Sequence, residues 1–283
     1  MNKIIKKRVL APTIKLFEAE SPLIAKKVEP GQFVILRVHK KGERIPLTVA
    51  DYDRERGTIT LVFEEVGKTT VLLGQLKEGE SILDLVGPLG KPTDFEGLKK
   101  VVALGGGLGT ALVLPQVKEM YKRGIRVDVI IGARNAALVL FEEEIRPYCA
   151  NLYITTDDGS RGHKGLVTDI LKKLLDGGNE YDRAIAVGPL VMMKAVCELT
   201  KDYGLPVTVS MDPIMIDGTG MCGCCRLTLG GEIKFACVDG PEFDGHLVDF
   251  DEVIRRKEMY RKEEKMAMNS LPCSLKERYN ACT

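Results

Sequence analysis

The sequence predicts a protein of mixed fold class, in which an all-β part precedes an α/β part. Three observations support this prediction. Turn residues interrupt the first third of the chain about every 8 to 12 positions, between short β-rich runs. From residue 101 onward, apolar runs of strand length alternate with helical patterns. Further on, four cysteines fall within sixteen residues, which sets off a third and smaller region.

Length and composition indicate a folded chain of about two domains. The 283 residues are 45% hydrophobic and 29% charged, which excludes a disordered chain. The 41 Lys and Arg residues nearly balance the 40 Asp and Glu residues, so the net charge is only +1. Because nucleic-acid binding normally requires a clustered basic excess, we predict no nucleic-acid partner.

Two segments bear on whether the chain enters or crosses a membrane. The longest uncharged stretch, residues 101–117, contains four glycines and a proline, so it lacks the continuous apolar surface of a spanning helix. Near the N-terminus, Lys15, Glu18 and Glu20 interrupt the apolar region that a signal peptide needs. We therefore predict a cytoplasmic protein without a membrane partner.

The first predicted domain, residues 1–97, is all-β. Its β-rich segments include FVILRV from Phe33, TITLVF from Thr58 and SILDLV from Ser81. Short strands with turns at this spacing predict an antiparallel barrel or sandwich rather than a parallel sheet.

The second predicted domain, residues 98–212, is α/β. Its strand-like segments are separated by helical patterns and begin at Val101, Val127, Leu152, Ala184 and Pro206. This alternation is typical of βαβ units, which build a parallel, doubly wound, Rossmann-like sheet. A short acidic helix is also predicted around residues 141–145.

The alternation of strands and helices ends after residue 212. Residues 213–247 form a Gly- and Cys-rich region with a predicted hairpin, LTLGGEIKFAC. The last predicted region, residues 248–283, begins with a charge-rich helical pattern over residues 248–268. We interpret that pattern as a solvated surface helix and, with the tail after Asn269, as a candidate docking surface.

The segment GGGLGTA lies where a buried strand is followed by a helix. Glycines allow positive φ and let backbone N–H groups approach a pyrophosphate, which a helix N-terminus also attracts. The spacing is not a clean G-x-G-x-x-G, and a glycine turn without a ligand is the alternative. The candidate nucleotide-binding residues here are Gly105, Gly106, Gly107, Gly109 and Thr110.

Similar loops follow the other predicted strands of this domain. In open α/β sheets, ligands bind at the carboxyl ends of the strands, so these loops strengthen the prediction of a nucleotide site. The further candidates are Ala133, Arg134, Asp157, Asp158, Gly159, Gly188 and Pro189.

Asp157 and Asp158 raise the question of paired acid/base carboxylates. Adjacent residues on a strand point to opposite faces, which argues against such a pair. A ribose hydroxyl is the better partner for one of them, and a turn-forming Asp-Gly pair is the alternative. Since a carboxylate near the ribose repels a 2'-phosphate, the loop favours NAD over NADP. His163, in the same loop, has no evident Ser or Cys partner for catalysis.

Eight cysteines in a reducing compartment do not predict disulfides, so their spacing decides their roles. Cys149 and Cys197 lie in apolar segments and are predicted to be small buried hydrophobic residues. Cys273 and Cys282 lie in the polar tail. The remaining four predict a metal site: Cys222, Cys224, Cys225 and Cys237.

Two kinds of metal centre compete for this site. Cys222 and Cys225 can chelate one centre, because the two residues between them let the chain turn around it. Zinc needs four N or S donors, and His246, nine residues past Cys237, is not at finger spacing. A 2Fe-2S cluster also needs four ligands, and plant-type ferredoxins supply three of them as C-x4-C-x2-C.

The ferredoxin spacing places a carboxylate, rather than a cysteine, at its first position. We therefore predict a cluster held by Asp217, Cys222, Cys225 and Cys237. Cys224 is the alternative fourth ligand, although adjacent cysteines splay in opposite directions.

The order of these motifs resembles the ferredoxin-NADP reductase superfamily, in which a β-barrel flavin domain precedes a pyridine-nucleotide domain. The flavin motif of that superfamily is similar to RIPLT, which implies FAD contacts for Arg44, Pro46, Leu47 and Thr48. A second FAD element resembles VGKTT, which implies phosphate contacts for Val66, Gly67, Lys68, Thr69 and Thr70. The aromatic residue common at the first motif in plant-type reductases is absent here.

The cysteine region resembles one branch of that superfamily, whose C-terminal loop carries a 2Fe-2S cluster. The branch includes the electron-transfer subunit of dihydroorotate dehydrogenase and the small subunit of NADH-dependent reduced ferredoxin:NADP oxidoreductase, with the related enzymes named sulfide dehydrogenase. The dihydroorotate group has four cysteines at the cluster, so Asp217 makes this chain more similar to the second group.

The resemblance implies FAD, a 2Fe-2S cluster and NAD(H) as cofactors, with no side chain acting as a general acid or base. It also implies a larger flavoprotein and iron-sulfur subunit as partner, which binds NADP(H) and exchanges electrons with ferredoxin by electron bifurcation. The alternative is the electron-transfer subunit of an NAD-dependent dihydroorotate dehydrogenase. A hypothesis of another class is a nucleotide-binding regulatory module with structural zinc.

Overall fold

A computed structural model describes residues 2–272 of the chain. Cys273, Cys282 and most of the tail proposed for docking lie outside the described residues. No helix within residues 2–272 combines the length and the apolar character needed to cross a membrane.

The N-terminal part is a nearly closed antiparallel barrel. Its strands are β1 (Asn2–Ala11), β2 (Ile14–Glu20), β3 (Phe33–Arg37), β4 (Ile45–Asp53), β5 (Thr58–Glu64), β6 (Ser81–Ile82) and β7 (Asp84–Leu89). They pair in the order β6-β1-β2-β5-β4-β3-β7. Only Leu83 separates β6 from β7, so the two ends of the sheet meet there. Two short helices belong to this part, α1 (Pro22–Ala25) and α2 (Lys68–Gln75).

Alternating apolar side chains fill the barrel and explain why these segments form strands. The Phe17 and Phe63 rings pack edge to face with their centroids 5.1 Å apart. Ile59 and Leu61, two residues apart on β5, point to the same interior and are fully buried. The sequence left a barrel and a sandwich open, and the structure is a barrel.

The C-terminal part contains a second seven-stranded sheet and a separate hairpin. The strands are β8 (Lys100–Gly106), β9 (Arg126–Ala133), β10 (Asn151–Thr156), β11 (His163–Lys164), β12 (Arg183–Val187), β13 (Val207–Ser210), β14 (Arg226–Leu229), β15 (Glu232–Phe235) and β16 (Glu242–Asp244). The sheet order is β11-β10-β9-β8-β12-β13-β16, and β14 pairs with β15 alone.

Helices cover this sheet and form the C-terminal end of the described chain. They are α3 (Gly109–Lys122), α4 (Glu142–Ile145), α5 (Val167–Asp176), α6 (Leu190–Lys201), α7 (Phe250–Lys257) and α8 (Arg261–Asn269). Two 3-10 turns, Ala136–Leu138 and Arg146–Tyr148, flank α4. The predicted acidic helix and the predicted hairpin are confirmed by α4 and by the β14–β15 pair.

The sheet is mixed rather than purely parallel. Strand β16 lies within the region predicted as Gly- and Cys-rich loop, yet it pairs antiparallel with β13 through Thr208↔Asp244 and Ser210↔Glu242. The sequence signal is weak because β16 is three residues long, and one of them, Phe243, supplies its buried side chain. The boundaries drawn at residues 97, 212 and 247 remain predictions.

The predicted single helix over residues 248–268 is wrong, because two helices occupy this segment. Helix α7 buries Phe250 and Val253, and the Asp249 side chain caps it by accepting a hydrogen bond from the Glu252 N–H at 2.9 Å. Helix α8 has no buried residue. Since the apolar stripe ends with α7, no core contact extends that helix beyond Lys257.

A buried polar cluster joins the barrel, the sheet and helix α3. The Glu242 carboxylate on β16 accepts a hydrogen bond from Thr93 Oγ1 at 2.9 Å and another from Gln116 Nε2 on α3. The Thr93 N–H in turn donates to the carbonyl of Pro30 in the barrel, at 2.8 Å. Burial raises the pKa of Glu242 to about 7, although these two donors and the charge of Arg183 oppose the shift.

Glu242 predicts a measurable pH dependence of stability. Because its folded-state pKa of about 7 exceeds the ordinary 4.5, the unfolded chain loses this proton first as the pH rises. Wild type should therefore lose on the order of 3 kcal/mol of unfolding free energy, relative to Glu242→Gln, between those two pH values. Urea unfolding across this range measures the difference, and parallel pH profiles would contradict the assignment.

Candidate functional site

A cavity of about 600 Å³ lies between the barrel and the carboxyl edge of the parallel strands. The barrel contributes Ile14, Thr48 and Glu64 to its wall. The opposite wall is made by the loops that follow β8, β9, β10, β12 and β13. This is the place where open α/β sheets bind ligands, and the size suits part of a dinucleotide.

The glycine loop after β8 turns sharply at the edge of this cavity. Gly107 has a φ of +54°, and its N–H donates to the carbonyl of Gly132 at 2.8 Å. A methyl group at Gly109 would collide with the Val187 carbonyl, so this glycine lets α3 approach β12 closely. The hydroxyl of Thr110 is buried and has no hydrogen-bond partner within residues 2–272.

The structure brings most of the predicted nucleotide-binding residues together around the cavity. Those in its wall are Gly106, Gly107, Gly109, Ala133, Arg134, Asp157, Gly188 and Pro189. The wall does not include Gly105, Thr110, Asp158 and Gly159. His163 also lies outside it, with Nε2 3.9 Å from Asp169 Oδ2.

Asp157 and Asp158 differ in their surroundings. Asp157 faces the cavity. The Asp158 carboxylate accepts hydrogen bonds from the hydroxyl of Ser160 at 2.6 Å and from its N–H at 2.9 Å. These bonds lower the pKa of Asp158 and hold the carboxylate within its own loop. Asp157 is therefore the one available to a ligand in the cavity.

Five polar residues of the cavity wall were not predicted from the sequence: Glu64, Thr155, Thr168, Ser210 and Asp212. Ser210 ends β13 and Asp212 follows it, and the strand-end rule that found the other loops would have found them too. Glu64 lies on the barrel side, and no sequence signal indicated it because its position depends on the packing of the two domains.

The RIPLT motif begins just before β4, at the rim of the barrel. Pro46, Leu47 and Thr48 are half-buried, whereas the next two residues of the strand are buried. Thr48 reaches the cavity described above. Arg44 is exposed, and its Nη2 lies 3.5 Å from the carbonyl oxygen of Asp217 in the cysteine region.

The VGKTT motif forms the start of helix α2. The Thr70 hydroxyl accepts hydrogen bonds from the N–H groups of Val66 and Gly67, both at 3.1 Å. Thr69 donates from its hydroxyl to the carboxylate of Glu43, which precedes Arg44. The two flavin motifs are therefore directly connected. The N–H groups of the first helical turn remain without intrahelical acceptors and can bind phosphate.

Asp217 begins a tight turn in the cysteine region. Its carboxylate accepts hydrogen bonds from the N–H of Thr219 at 3.0 Å and from the N–H of Cys222 at 2.8 Å. These bonds lower the pKa of Asp217 and keep it ionised. Each carboxylate oxygen retains a further lone pair, so the side chain can still bind a metal.

The four clustered cysteines occupy different depths. Cys225 and Cys237 are each 1% exposed, and their sulfur atoms are 3.2 Å apart. Burial and this contact raise the pKa of the Cys237 thiol. Cys222 is exposed, and Cys224 lies close to it. The sulfurs of the Cys222–Cys225 segment and of Cys237, together with the Asp217 carboxylate, are donors that suit an iron-sulfur centre.

In the structure, the cysteine sulfurs and the Asp217 carboxylate do not surround a common point. Within residues 2–272, no group of three or more His, Cys, Asp or Glu side chains stands at metal-binding distances. The fit rests on the donor chemistry and on the close Cys225–Cys237 pair, since two thiolates at this separation can bind one metal ion.

The other two cysteines within residues 2–272 lie outside the cysteine region of the sequence. Cys197 is buried, as predicted, and burial raises the pKa of its thiol to about 12. Cys149 is only half-buried, because it lies at the surface end of the turn before β10 rather than in the core. The prediction of a buried residue was therefore wrong for Cys149.

The barrel, the nucleotide-type sheet and the cysteine hairpin together define an electron-transfer flavoprotein of the ferredoxin-NADP reductase type. Comparisons with known proteins identify the family. The iron-sulfur cluster binding domain of dihydroorotate dehydrogenase B matches residues 212–249. The chain is 46% identical, over 94% of each protein, to the dihydroorotate dehydrogenase B (NAD+) electron transfer subunit homolog of Thermotoga maritima.

Two further comparisons cover nearly the whole chain. A Clostridium beijerinckii protein from the adh 3' region is 54% identical, over 93% of this chain and 92% of that protein. A chain of the solved NADH-dependent reduced ferredoxin-NADP oxidoreductase is 46% identical, with a TM-score of 0.91, over 95% of this chain and 97% of that one. This protein belongs to the family of dihydroorotate dehydrogenase B electron-transfer subunits and their homologues.

Family membership confirms several predictions made from the sequence. The fold class, the ferredoxin-NADP reductase resemblance and the oxidoreductase class are confirmed. The predicted cofactors, FAD, a 2Fe-2S cluster and NAD(H), are confirmed as well. The residues that bind them remain predictions.

Gly107 offers a test of the nucleotide site. Apart from Gly107 and its two chain neighbours, no residue within 2–272 has an atom within 4 Å of a methyl group placed on Gly107, which lines the cavity, so Gly107→Ala adds that methyl to open space there. We expect the NADH dissociation constant to rise roughly tenfold, at a stability cost of about 1 kcal/mol from the positive φ. Fluorescence titration with NADH measures the first effect.

Gly124 provides the matched control. It also has a positive φ, +73°, and open space around it, but it lies in the turn after α3 and outside the cavity wall. Gly124→Ala should lose similar stability and bind NADH as wild type does. Equal NADH affinities for the two variants would contradict the placement of the nucleotide.

Proposed function

We propose that this chain is the NAD(H)-reacting electron-transfer subunit of a larger flavoprotein complex. In that complex it couples NAD(H) to NADP(H) and ferredoxin by electron bifurcation. The 46% identical solved relative is a NADH-dependent reduced ferredoxin-NADP oxidoreductase studied for flavin-based electron bifurcation. Its match over nearly the full length of both chains supports the same role here.

The arrangement of three motifs around one corner of the barrel carries the proposal. Thr48 of the first flavin motif and the glycine loops of the sheet line the same cavity. Arg44 of that motif approaches the backbone of Asp217, the first proposed cluster ligand. A flavin held by RIPLT would therefore lie between the nucleotide and the cluster. This order suits electron flow through the subunit.

Each proposed cofactor contact follows from the chemistry of the residue. Arg44 pairs with the FAD pyrophosphate, and Pro46, Leu47 and Thr48 form a half-buried surface for the ring. Val66 and Gly67 lead into α2, whose first turn presents the backbone N–H groups of Lys68, Thr69 and Thr70 to the phosphates. When bound, FAD converts between two-electron exchange with nicotinamide and one-electron exchange with the cluster.

The nucleotide is proposed to bind at the edge of the sheet. Gly106, Gly107 and Gly109 face its pyrophosphate, and the loops at Ala133–Arg134 and Gly188–Pro189 complete the wall. Gly105 and Thr110 pack against each other outside the wall and support the glycine loop. Asp157 faces the cavity and is the better placed of the two aspartates to bind a ribose hydroxyl. Its negative charge disfavours the 2'-phosphate of NADP.

The surface beside the proposed cluster suits a protein partner. Met221, between Gly220 and Cys222, is 88% exposed, and Ile216 and Val238 nearby are also exposed. Exposed apolar groups next to a redox centre favour a docked partner, since electron transfer needs a short path. We propose a larger flavoprotein and iron-sulfur subunit at this face, with ferredoxin as an indirect partner. A cytoplasmic location remains our prediction from the sequence.

A second candidate function is the electron-transfer subunit of an NAD-dependent dihydroorotate dehydrogenase. The matching cluster-domain family and the relatives at 30 to 35% identity bear that description. The Thermotoga maritima relative, which also bears that description, is 46% identical to this chain, the same identity as the ferredoxin-NADP oxidoreductase chain. The feature that favours the first proposal is Asp217, a carboxylate at the first cluster position where the dihydroorotate group has a cysteine.

Isolation of the complex from its source distinguishes the two functions. If the first proposal is right, the purified complex reduces NADP+ with electrons from both NADH and reduced ferredoxin, and it shows no activity with dihydroorotate. With the second, dihydroorotate reduces NAD+ in the same preparation. Activity with dihydroorotate and none with ferredoxin would refute the bifurcating function. The chain would then still be an electron-transfer subunit, but of a dihydroorotate dehydrogenase.

Substitutions at the fourth ligand position test the proposed cluster residues. We expect Asp217→Ala to lose or degrade the cluster, because one iron is left with an incomplete ligand set. Cys224→Ser should keep about two irons per chain and the wild-type visible spectrum. The reverse pattern, with iron lost in Cys224→Ser and kept in Asp217→Ala, would reassign the fourth ligand to Cys224.

A further inference from the structure

Helix α7 contacts the cysteine region at three points, although its sequence suggests a solvated surface helix. Lys257 Nζ lies 2.7 Å from Asp212 Oδ2, at the start of that region. Glu252 Oε2 accepts a hydrogen bond from the N–H of Thr228 at 2.9 Å, on β14. Between them, Arg256 Nη2 donates to the carbonyl of Cys224 at 3.2 Å.

The contact made by Arg256 differs in kind from the one made by Lys257. The Lys257–Asp212 pair is largely exposed, 40% and 63%, so it contributes little to stability. Arg256 is half-buried, and its guanidinium holds the backbone between two proposed ligands, Cys222 and Cys225. A side chain at this place fixes the direction in which those sulfurs point.

Arg256 belongs to a set of three arginines that donate to carbonyls of the cysteine region. Arg44 lies at the Asp217 carbonyl, Arg226 at the Gly223 carbonyl and Arg256 at the Cys224 carbonyl. Within residues 2–272, eight arginines have a carboxylate within 4.0 Å. In this range Arg44, Arg226 and Arg256 have none, and neither do Arg126, Arg134, Arg183 and Arg255, but only the first three donate to the cysteine region. The guanidinium groups of Arg44, Arg226 and Arg256 can therefore interact with another negatively charged group.

A 2Fe-2S cluster with three thiolates and a carboxylate is such a group. Its net charge is negative in the oxidised form and becomes more negative by one unit on reduction. Net charge and hydrogen bonding around the sulfurs are among the properties that set cluster potentials. A fixed positive charge beside the ligands therefore stabilises the reduced form more than the oxidised form.

We propose that Arg256 is a positioning residue for the 2Fe-2S cluster, which orients the Cys222–Cys225 segment through the Cys224 carbonyl and offsets the charge gained on reduction. Arg256 lies outside residues 212–249, which match the cluster-binding family. The inference rests on the proposed function, because it requires a cluster at this loop. It adds α7 to the structural unit that holds the cluster.

Three variants of the full chain, purified anaerobically, test this role. Arg256→Gln removes the charge, and Arg256→Lys keeps the charge but loses the planar donor geometry. Arg255→Gln is the control, because Arg255 is its exposed neighbour on α7 and, within residues 2–272, its side chain makes no hydrogen bond or ion pair with the cysteine region. Iron content and a redox titration followed by electron paramagnetic resonance are the measurements.

We expect the equilibrium constant for cluster reduction to fall roughly tenfold in Arg256→Gln, which shifts the midpoint potential downward. The midpoint potential of Arg256→Lys should lie between those of Arg256→Gln and wild type. Arg255→Gln should match wild type. Loss of iron in Arg256→Gln, with iron retained in Arg255→Gln and Arg256→Lys, also supports the proposal.

Wild-type iron content and midpoint potential in Arg256→Gln would overturn the proposed role of Arg256. An equal downward shift in Arg255→Gln would also overturn it, because the effect would then come from general surface charge. Absence of iron from the wild-type chain is a different outcome, which would refute the cluster itself and with it the proposed function.

Discussion

One apolar core connects the parts of this protein, and the proposed redox centre depends on it. Cys225 and Cys237 are buried in the same core as Phe33 and Ile35 of the barrel and the central strands of the sheet. The cysteine region also lies tightly against the barrel, because a methyl group at Gly218 would come within 2.8 Å of Ile35 Cδ1. Packing of this density leaves little room for movement. The positions of two proposed cluster ligands are therefore set by the fold rather than by the loop alone.

The same packing explains why motifs from distant parts of the sequence share one site. Strand β4 brings Thr48 to the cavity, and the turn after β8 brings Gly107 to its other side. The Lys118–Asp51 ion pair, at 2.5 Å, holds α3 against β4 of the barrel. Thr93 adds a second link, because its hydroxyl donates to Glu242 on β16 and its N–H donates to the carbonyl of Pro30 in the barrel. In a family whose chemistry resides in bound cofactors, the contribution of the protein is this fixed relative placement.

Much of the fold was predictable because its elements are specified locally. Strand periodicity and turn residues predicted an antiparallel barrel or sandwich, and the alternation after Val101 predicted the nucleotide-type sheet. The missed features depend on contacts between distant segments. Strand β16 pairs with β13 through three residues, Glu64 enters the cavity from the other domain, and Arg256 contacts a loop 32 positions earlier. No local pattern encodes such contacts, so only the folded chain reveals them.

The central claim is that one chain holds a nucleotide-reducible flavin and an iron-sulfur cluster close enough to exchange electrons. The most direct measurement is an anaerobic titration of the isolated, cofactor-loaded chain with NADH, followed by visible absorption and electron paramagnetic resonance. We expect the flavin bands to bleach and the signal of a reduced 2Fe-2S cluster to appear without any added mediator. Flavin bleaching with no cluster signal in an iron-loaded chain, or a chain that binds zinc and no iron, would contradict the claim.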